Sequence, residues 1–330
     1  MIPRGYLCYR ASGPITIDGR LDDPAWHNAP WTEDFVDIEG DSKPRPRFRT
    51  RVKMLWDDDY LYVGADIEEP HVWATLTQHD SVIFQDNDFE VFLDPDGDSH
   101  LYYEIEINAL NTEWDLLLIK PYRDGGPAVN GWEIPGLKTA VHVDGTLNDP
   151  SDTDKGWSVE LAFPWKALKE CANMPCPPHD GDQWQINFSR VEWEVQVIDG
   201  HYQKIPQRPE DNWVWSPQGA INMHMPEKWG YIQFTTAPTG QAVFHPDPSI
   251  PARDLLHRIY YAEHSYYKQH GHWAPALSDL DLAHLPHDDR LGPPRLETTE
   301  AGFLASVTLN LPDGTRQRWH ISDDSRIWHK

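Results

Sequence analysis

Short segments in which apolar and polar residues alternate recur along the larger, N-terminal part of this chain. Within residues 47–56, apolar side chains alternate with basic ones: Phe48, Val52, Met54 and Trp56 with Arg49, Arg51 and Lys53. Residues 61–67 alternate in the same way after a turn of three aspartates at positions 57–59. A period of two residues is that of a β-strand with one buried face, so the two segments predict a β-hairpin.

The same pattern predicts further strands. They lie at 89–93, 101–108, 112–119, 137–143, 157–163, 183–195 and 229–235, while residues 164–170 suffice for only a short helix. No long amphipathic helix separates the strands, which argues against a parallel α/β sheet. We therefore predict a mainly-β fold, an antiparallel β-sandwich of the jelly-roll or immunoglobulin-like kind over residues 1–237. Trp26, Trp56 and Trp157 are predicted to be buried, with Trp26 closing one end of the sandwich.

A change in composition near Pro238 predicts a second, smaller part. Four prolines indicate a linker over residues 238–251. Beyond it, residues 253–270 have one apolar helical face, formed by Leu255, Ile259, Ala262 and Tyr266. Residues 303–309 and 315–321 flank a Pro-Asp-Gly turn and predict a hairpin. Residues 252–330 are therefore predicted to be a small α+β appendage that packs on the sandwich, since the apolar face of its helix must be buried.

The acidic composition narrows the choice of partners. The net charge is −25 and the sequence pI is near 4.9, so the surface repels the phosphate backbone of nucleic acids and suits neutral sugars or metal cations. The sequence contains no run of 18 apolar residues, so no transmembrane helix is predicted. Residues 1–12 also lack the apolar region of a secretory signal. The compartment and the oligomeric state stay open, as does the state of Cys171 and Cys176. An oxidising compartment would allow a disulfide between them, and a reducing one would leave two thiols.

Six segments in a fixed order resemble a known family. They are Ile17–Asp23 with Trp26, Val52–Asp57 with Tyr60–Val63, Asp88–Asp94, Trp157–Ala162, Ile186–Phe188, and Trp215–Ser216 followed by Pro226 and Trp229–Gly230. Together they resemble the family 9 carbohydrate-binding modules, known mainly as accessory domains of xylanases and similar in fold to DOMON-type domains. The resemblance covers residues 14–235. It implies a β-sandwich, a saccharide ligand, a role in polysaccharide breakdown and a secreted or periplasmic location.

The chain departs from this family at the sugar clamp. Characterised members hold a terminal sugar between two tryptophans, and the equivalent positions here are Phe84 and the neighbourhood of Met223. The arginine on the family's pocket strand corresponds to Glu106. The resemblance therefore implies the fold more strongly than the particular ligand.

One predicted strand gives the strongest indication of a ligand site. In residues 101–108 the side chains of Tyr102, Glu104, Glu106 and Asn108 share one face. Two interpretations remain: a solvated outer face, or a concave face that hydrogen-bonds sugar hydroxyls or binds a metal. With residues of neighbouring segments, the predicted ligand-binding set is Phe84, Tyr102, Glu104, Glu106, Asn108, Asn111, Trp114, Asp115, Arg190, Glu192, Trp193, Trp215 and His224.

Arg190 stands out in this set because it lies in an otherwise apolar strand. The alternation of residues 183–195 shifts after Phe188, which predicts a bulge near Ser189 and Arg190. A buried arginine needs a carboxylate partner, and Glu104 or Glu106 is expected to provide it.

Two other functions are compatible with the same residues. Paired carboxylates at Glu104 and Glu106 also suit a carbohydrate-active enzyme, hydrolase or lyase-like, with one acid and one base. Met223, His224 and Met225 allow haem binding, which some DOMON-type domains perform through Met and His.

A metal site is predicted in the turn that follows residues 89–93. Asp94, Asp96 and Asp98 place three carboxylates at alternate positions. Calcium prefers such hard oxygen ligands, so we expect a calcium ion there. A solvated acidic turn is the alternative.

Overall fold

The chain folds into two compact units. The computed structural model describes residues 3–282 and 288–330. One unit comprises the residues up to 96 together with 101–119 and 128–244, and the other comprises 97–100, 120–127 and 245–330. The division after residue 244 falls inside the segment predicted as a linker. Among the described helices, none has an apolar stretch long enough to cross a bilayer.

The first unit consists mainly of strands, as predicted. They are β1 (Gly5–Arg10), β2 (Val36–Asp37), β3 (Thr50–Trp56), β4 (Tyr60–Glu68), β5 (Asp88–Asp94), β6 (Tyr102–Asn108), β7 (Glu113–Leu118), β8 (Ala128–Val129), β9 (Lys138–Asp144), β10 (Gly156–Pro164), β11 (Gln183–Glu192), β12 (Val195–Ile198), β13 (His201–Lys204), β14 (Asp211–Val214) and β15 (Gly230–Thr235). A single helical turn, α1 (Trp165–Leu168), follows β10. The cysteines, Cys8, Cys171 and Cys176, are free thiols.

Hydrogen bonds join most of these strands into one curled sheet. The order is β8-β7-β6-β5-β11-β15-β1-β3-β4-β10-β9, with β14 attached to β11 and β2 to β14, while β12 and β13 form a separate hairpin. One apolar core takes side chains from both halves of this path, among them Val52 and Val63 from one half and Val91 and Ile105 from the other. The curled sheet is therefore a β-sandwich, which confirms the predicted fold class.

Strand β1 joins the two halves and was not predicted. It pairs in parallel with β15 on one side, where Tyr6 lies opposite Ile232, and with β3 on the other, where Tyr9 lies opposite Leu55. The other pairs of the curled sheet are antiparallel. The sequence of β1 is apolar on both faces and so lacks the alternation that identified the other strands.

Trp26, Trp56 and Trp157 are all buried, as predicted. Trp56 and Trp157 belong to the core between the layers. The expected position of Trp26 at one end of the sandwich is wrong: it packs on the outer face of β3, β4 and β10, with Tyr62 and Ala162. The indole and these side chains form a buried apolar cluster on that face.

Glu160, on the outer face of β10, fixes the segment that carries Trp26. Its Oε1 accepts a hydrogen bond from Trp26 Nε1 at 2.7 Å, and its Oε2 accepts bonds from the backbone N–H groups of Asp18 and Gly19, both at 2.9 Å. Gly64, its neighbour across β4, leaves room for this arrangement, since a Cβ there would lie 2.5 Å from Leu21 Cδ2. One carboxylate therefore satisfies two buried donors, from Gly19 and Trp26, and one part-buried donor, from Asp18.

Strand β11 runs without the predicted bulge. Ser189 lies opposite Glu90 on β5 and opposite Val214 on β14, and Arg190 lies opposite Trp213 in the same unbroken register. The shift in the sequence pattern has another cause, because Arg190 continues the core-facing row of Phe188 as a buried charged residue. The bulge prediction was therefore wrong.

The second unit combines one long helix with a small sheet. Its elements are α2 (Ile250–His270), β16 (Arg295–Thr298), β17 (Phe303–Asn310), β18 (Arg316–Ser322) and β19 (Ile327–His329), with the four strands in sequential antiparallel order. Leu255 and Ile259 of the helix are buried in a core that includes Val307 and Ile321 of the sheet. The apolar helix face predicted from the sequence thus has a partner within its own unit.

We expect Glu160→Leu to lower the free energy of unfolding by about 3 kcal/mol, because it leaves two buried donors and one part-buried donor without an acceptor. Urea unfolding followed by tryptophan fluorescence measures the change. Glu160→Gln keeps one acceptor oxygen and is expected to lose clearly less. Equal losses in the two variants would show that the side chain contributes volume rather than hydrogen bonds.

Candidate functional site

Four carboxyl groups lie together on the side of β5 and β6 that points away from the central core. Glu90 lies opposite Glu106, and Glu104 lies opposite Phe92 on the same face. Asp88 lies two residues before Glu90 on β5 and therefore points to the same side of the sheet. We call Asp88, Glu90, Glu104 and Glu106 the acidic face; their exposed fractions are 0, 4, 4 and 3%. The solvated-surface interpretation of Glu104 and Glu106 is therefore excluded.

Apolar side chains cover this face. Tyr102 and Phe92 on the strands and Met223 and Trp229 above them form one buried cluster on that side of the sheet. Such a cover withdraws the carboxyl groups from water, and an ionised carboxyl group in that position is costly unless a cation or a set of donors compensates it.

The donors offered to the acidic face are few. Glu106 Oε2 accepts a bond from the backbone N–H of Phe84 at 2.8 Å, and Asp88 Oδ1 accepts one from the backbone N–H of Val191 at 3.0 Å. Asp88 Oδ2 and Glu104 Oε2 are buried without a hydrogen-bond partner. In the part of the chain that the structure describes, no ion pair involves these four groups.

Burial and mutual repulsion therefore favour the protonated forms. Burial raises the pKa of Glu90 to about 7. Burial, reinforced by the charge of Glu90, raises the pKa values of Asp88, Glu104 and Glu106 well above their usual range. At neutral pH the acidic face thus holds protons, and its carboxyl groups can donate as well as accept hydrogen bonds.

Half-buried aromatic residues border the acidic face. Phe84 is fixed by its N–H bond to Glu106, and Trp193 Nε1 donates to the carbonyl oxygen of Phe84 at 2.8 Å. Trp114 lies opposite Glu106 on the neighbouring strand β7. Lys204 Nζ lies 3.5 Å from the centre of the Trp193 ring. The rim therefore offers flat apolar surfaces beside polar groups, as saccharide and small-molecule sites do.

His224 lies beside Tyr102 at the other end of the face. Its Nδ1 shares a hydrogen bond of 2.9 Å with the Tyr102 hydroxyl, and its ring packs edge-on against Phe92. This places His224, a predicted ligand-binding residue, next to the acidic face.

Asp115 and Asn111 do not join the acidic face, contrary to the prediction. Asp115 lies opposite Ile105, whose side chain is in the central core, so it projects from the other side of the sheet. Asn111 is an exposed turn residue, and its Nδ2 donates to Thr139 Oγ1 at 3.1 Å. Both belong to the neighbourhood of the β6–β7 turn rather than to the predicted cavity.

Arg190 and Glu192 also lie on the opposite side of the sheet. Arg190 is fully buried and its Nη2 contacts Glu69 at 2.7 Å and Glu192 at 2.8 Å. Asn87 Nδ2 donates to both carboxylates. The expected ion pair of Arg190 with Glu104 or Glu106 is therefore wrong, because a strand sends alternate residues to opposite faces.

Two further predicted ligand residues have internal roles. Trp215 is fully buried in the core, stacks near Phe188 and donates from Nε1 to Glu33. Asn108 is also fully buried, and its amide bonds Leu76, Asp86 and two N–H groups of the following turn. Neither side chain has hydrogen-bonding capacity to spare for a ligand.

The acidic turn after β5 is divided between the two units. Asp94 ends β5 and is fully buried, while Asp96 is half-buried and accepts a bond from Asn173 Nδ2 at 3.0 Å. Ligand oxygens of Asp94 and Asp96 lie within 4.8 Å of each other. Asp98 belongs to the second unit, where its carboxylate pairs with Arg326 at 3.0 Å.

Sequence reasoning missed half of the acidic face. Glu90 lies in the segment 89–93 that was predicted as a strand, and Asp88 directly precedes that segment, but neither residue belongs to the predicted ligand-binding set. The charged alternation in Asp88–Asp94 was the available signal. Glu69, the partner of Arg190, gave no such signal because the two residues are 121 positions apart.

Replacement of Glu104 by Gln is expected to raise stability at pH 8, because the amide cannot ionise. In the unfolded chain a glutamate loses its proton near pH 4.5, whereas burial raises the pKa of Glu90 to about 7 and that of Glu104 well above its usual range. Below pH 4.5 both states are protonated and no difference arises. As the pH rises above 4.5, the unfolded chain releases protons that the fold retains, so the fold is progressively destabilised until the pH passes the raised pKa values.

Urea unfolding between pH 4 and 8, in the presence of a chelator, measures this effect. The unmodified protein should lose stability as the pH rises, and Glu104→Gln should lose less. Glu68→Gln, at an exposed position, is the matched control and should follow the unmodified protein. Parallel curves for all three proteins would contradict the assignment of the acidic face as protonated.

Comparison with known proteins identifies relatives of the sandwich. The family described as carbohydrate family 9 binding domain-like matches residues 17–176. Endo-1,4-beta-xylanase A of Thermoanaerobacterium saccharolyticum is 28% identical over 156 residues, 47% of this chain and 11% of the relative. Exoglucanase XynX of Acetivibrio thermocellus is 26% identical over 156 residues, 47% of this chain and 12% of the relative. The match therefore spans only about an eighth of the length of these curated relatives.

Solved structures show a related architecture. A family 9 carbohydrate-binding module of Caldicellulosiruptor kristjanssonii, in complex with cellotriose, is 18% identical with a TM-score of 0.47; the match covers 74% of this chain and all of that one. A protein of Bacteroides uniformis is 15% identical with a TM-score of 0.52, over 70% of this chain and 99% of that one. The second likeness agrees with the β-sandwich described above.

Proposed function

Residues 17–176 belong to the family 9 carbohydrate-binding domains, and on this premise we propose that the protein binds a saccharide at the aromatic rim of the acidic face. The family match is the observation that carries the proposal. Phe84, Trp114 and Trp193 would pack against the C–H faces of sugar rings, and the polar groups between them would meet the hydroxyls.

The charge of the site supports a neutral ligand. The chain carries a net charge of −25, which disfavours phosphorylated or otherwise anionic ligands.

The names of the relatives suggest the class of saccharide. They are a xylanase and an exoglucanase, and the segment they share with this chain lies in its sandwich. We therefore propose a β-1,4-linked xylan or glucan chain as the ligand, a supporting role in polysaccharide breakdown, and a location outside the cytoplasm where such polymers occur.

We expect Phe84→Ala to weaken saccharide binding at least tenfold, about 1.4 kcal/mol, because it removes one aromatic surface of the rim. Calorimetric titration with xylo- and cello-oligosaccharides measures the dissociation constants. Val82→Ala is the matched control: Val82 lies in the same loop and is 42% exposed. A tenfold loss confined to Phe84→Ala supports the site, whereas unchanged binding in both variants would remove it.

The same saccharides also test the alternative of an enzyme. A hydrolase or lyase would release products, and Glu104→Gln or Glu106→Gln would abolish their release. Turnover of this kind would replace the binding proposal. Binding without turnover supports it, as does the position of both glutamates beneath an apolar cover.

We further propose that calcium binds the turn after β5 through Asp94 and Asp96. The two carboxylates are close enough to share one ion, and Asp94 is fully buried. Calcium should raise the melting temperature, because an ion that binds only the folded state stabilises it, by about 2.7 kcal/mol at a hundred times its dissociation constant. Differential scanning calorimetry with and without chelator measures the shift. The double variant Asp94→Asn, Asp96→Asn should lose it, and an equal shift in that variant would place the ion elsewhere.

A further inference from the structure

Four potential metal ligands converge beside the core-facing side of β7. His79 and Asp80 come from the loop before β5, Asp115 from β7 itself, and Glu133 from the loop after β8. One ligand atom from each lies within 4.8 Å of every other. The backbone N–H of Asp80 bonds the carbonyl oxygen of Glu113 at 3.1 Å, which attaches the first loop to β7. Polar side chains from three separate segments therefore lie close together.

Three carboxylate oxygens surround His79 Nε2 at distances close to those between two ligands of one ion. Its Nε2 lies 3.1 Å from Glu133 Oε1, 3.3 Å from Asp80 Oδ1 and 3.8 Å from Asp115 Oδ1. Ligand atoms bound tetrahedrally to zinc at about 2.0–2.1 Å are separated by about 3.3–3.4 Å. A single ring N–H serves one acceptor well, so hydrogen bonding alone does not account for three carboxylates around this nitrogen.

Asp115 provides an independent indication of a ligand. Its side chain is 3% exposed, and its Oδ1 is buried without a hydrogen-bond partner. The other oxygen, Oδ2, accepts the backbone N–H of Ile134, which holds the carboxylate in place. The unpartnered oxygen points towards His79, whose side chain is 41% exposed and leaves the cluster open to ions from solvent.

The charges at this point also call for a cation. Asp80, Asp115 and Glu133 bring three carboxyl groups to one imidazole. Glu113 Oε2 is a further buried oxygen without a partner. The acids thus outnumber the one imidazole that neutralises them.

We propose that His79, Asp80, Asp115 and Glu133 bind a zinc-class divalent cation. One imidazole nitrogen with three carboxylate oxygens suits zinc, whereas calcium prefers six to eight oxygen ligands. The ion would join two loops to β7 and neutralise the surplus acids. The site lies on the opposite side of the sheet from the acidic face, so the proposal is independent of saccharide binding.

Titration of the tag-free, chelator-treated full chain with zinc chloride, in excess calcium, tests the proposal. His79→Ala should remove one equivalent of zinc or weaken its binding at least tenfold. His27→Ala, at an exposed histidine outside the cluster, is the matched control and should retain it. Asp115→Asn, which keeps an acceptor for Ile134, should resemble His79→Ala.

Cobalt(II) supplies a second readout. Its visible absorption reports coordination geometry, and a tetrahedral spectrum that is lost in His79→Ala would support the site. Zinc binding of equal stoichiometry and affinity in the unmodified protein, His79→Ala and Asp115→Asn would overturn the proposal. So would a lack of zinc binding by the unmodified protein, which would leave the cluster as hydrogen-bonded acids around one imidazole.

Discussion

The withdrawal of four carboxyl groups from water on one face of β5 and β6 governs much of the chemistry of this molecule. Glu90 faces Glu106 across the two strands, and neither has a cationic partner among the described residues. Such an arrangement persists only if protons, hydrogen bonds or a bound species compensate the lost hydration. The aromatic rim depends on the same carboxyl groups. Glu106 accepts a hydrogen bond from the backbone N–H of Phe84, and the carbonyl oxygen of Phe84 accepts one from Trp193 Nε1.

The carboxyl groups on the two sides of these strands are compensated in different ways. On the core-facing side, Arg190 pairs with both Glu69 and Glu192, and His79 lies among three acids further along the sheet. On the other side no arginine or lysine pairs with the acidic face, in the portion of the chain described. Successive residues of a strand point to opposite sides of the sheet. Substitutions at two neighbouring positions therefore affect different groups of charged residues.

Most of the longer strands, the layered fold and the polar face of β6 could be predicted from the sequence, because alternation is a local property; β1 could not, since it lacks that alternation. The register between strands is not a local property. Nothing in the sequence near Glu106 shows that Glu90 is its neighbour, and nothing near Arg190 shows that it pairs with Glu69. Asp115 and Arg190 were misplaced because proximity along adjacent strands was taken for proximity on one face. Trp215 and Asn108 were misjudged because burial depends on what covers a residue, and the covering segments are distant in sequence.

The pairing of β1 with β15 has a consequence for the order of assembly. Gly5 meets Tyr231, so almost the whole first unit must be synthesised before its N-terminal strand finds a partner there. Contacts of such long sequence separation are acquired late and slowly. The residues that match the family, 17–176, exclude β1, β11 and β15. A fragment cut at those limits would expose the unpaired edges of β3 and β5, which are sites for aggregation. The segment that matches the family is therefore shorter than the segment that we expect to be needed for folding.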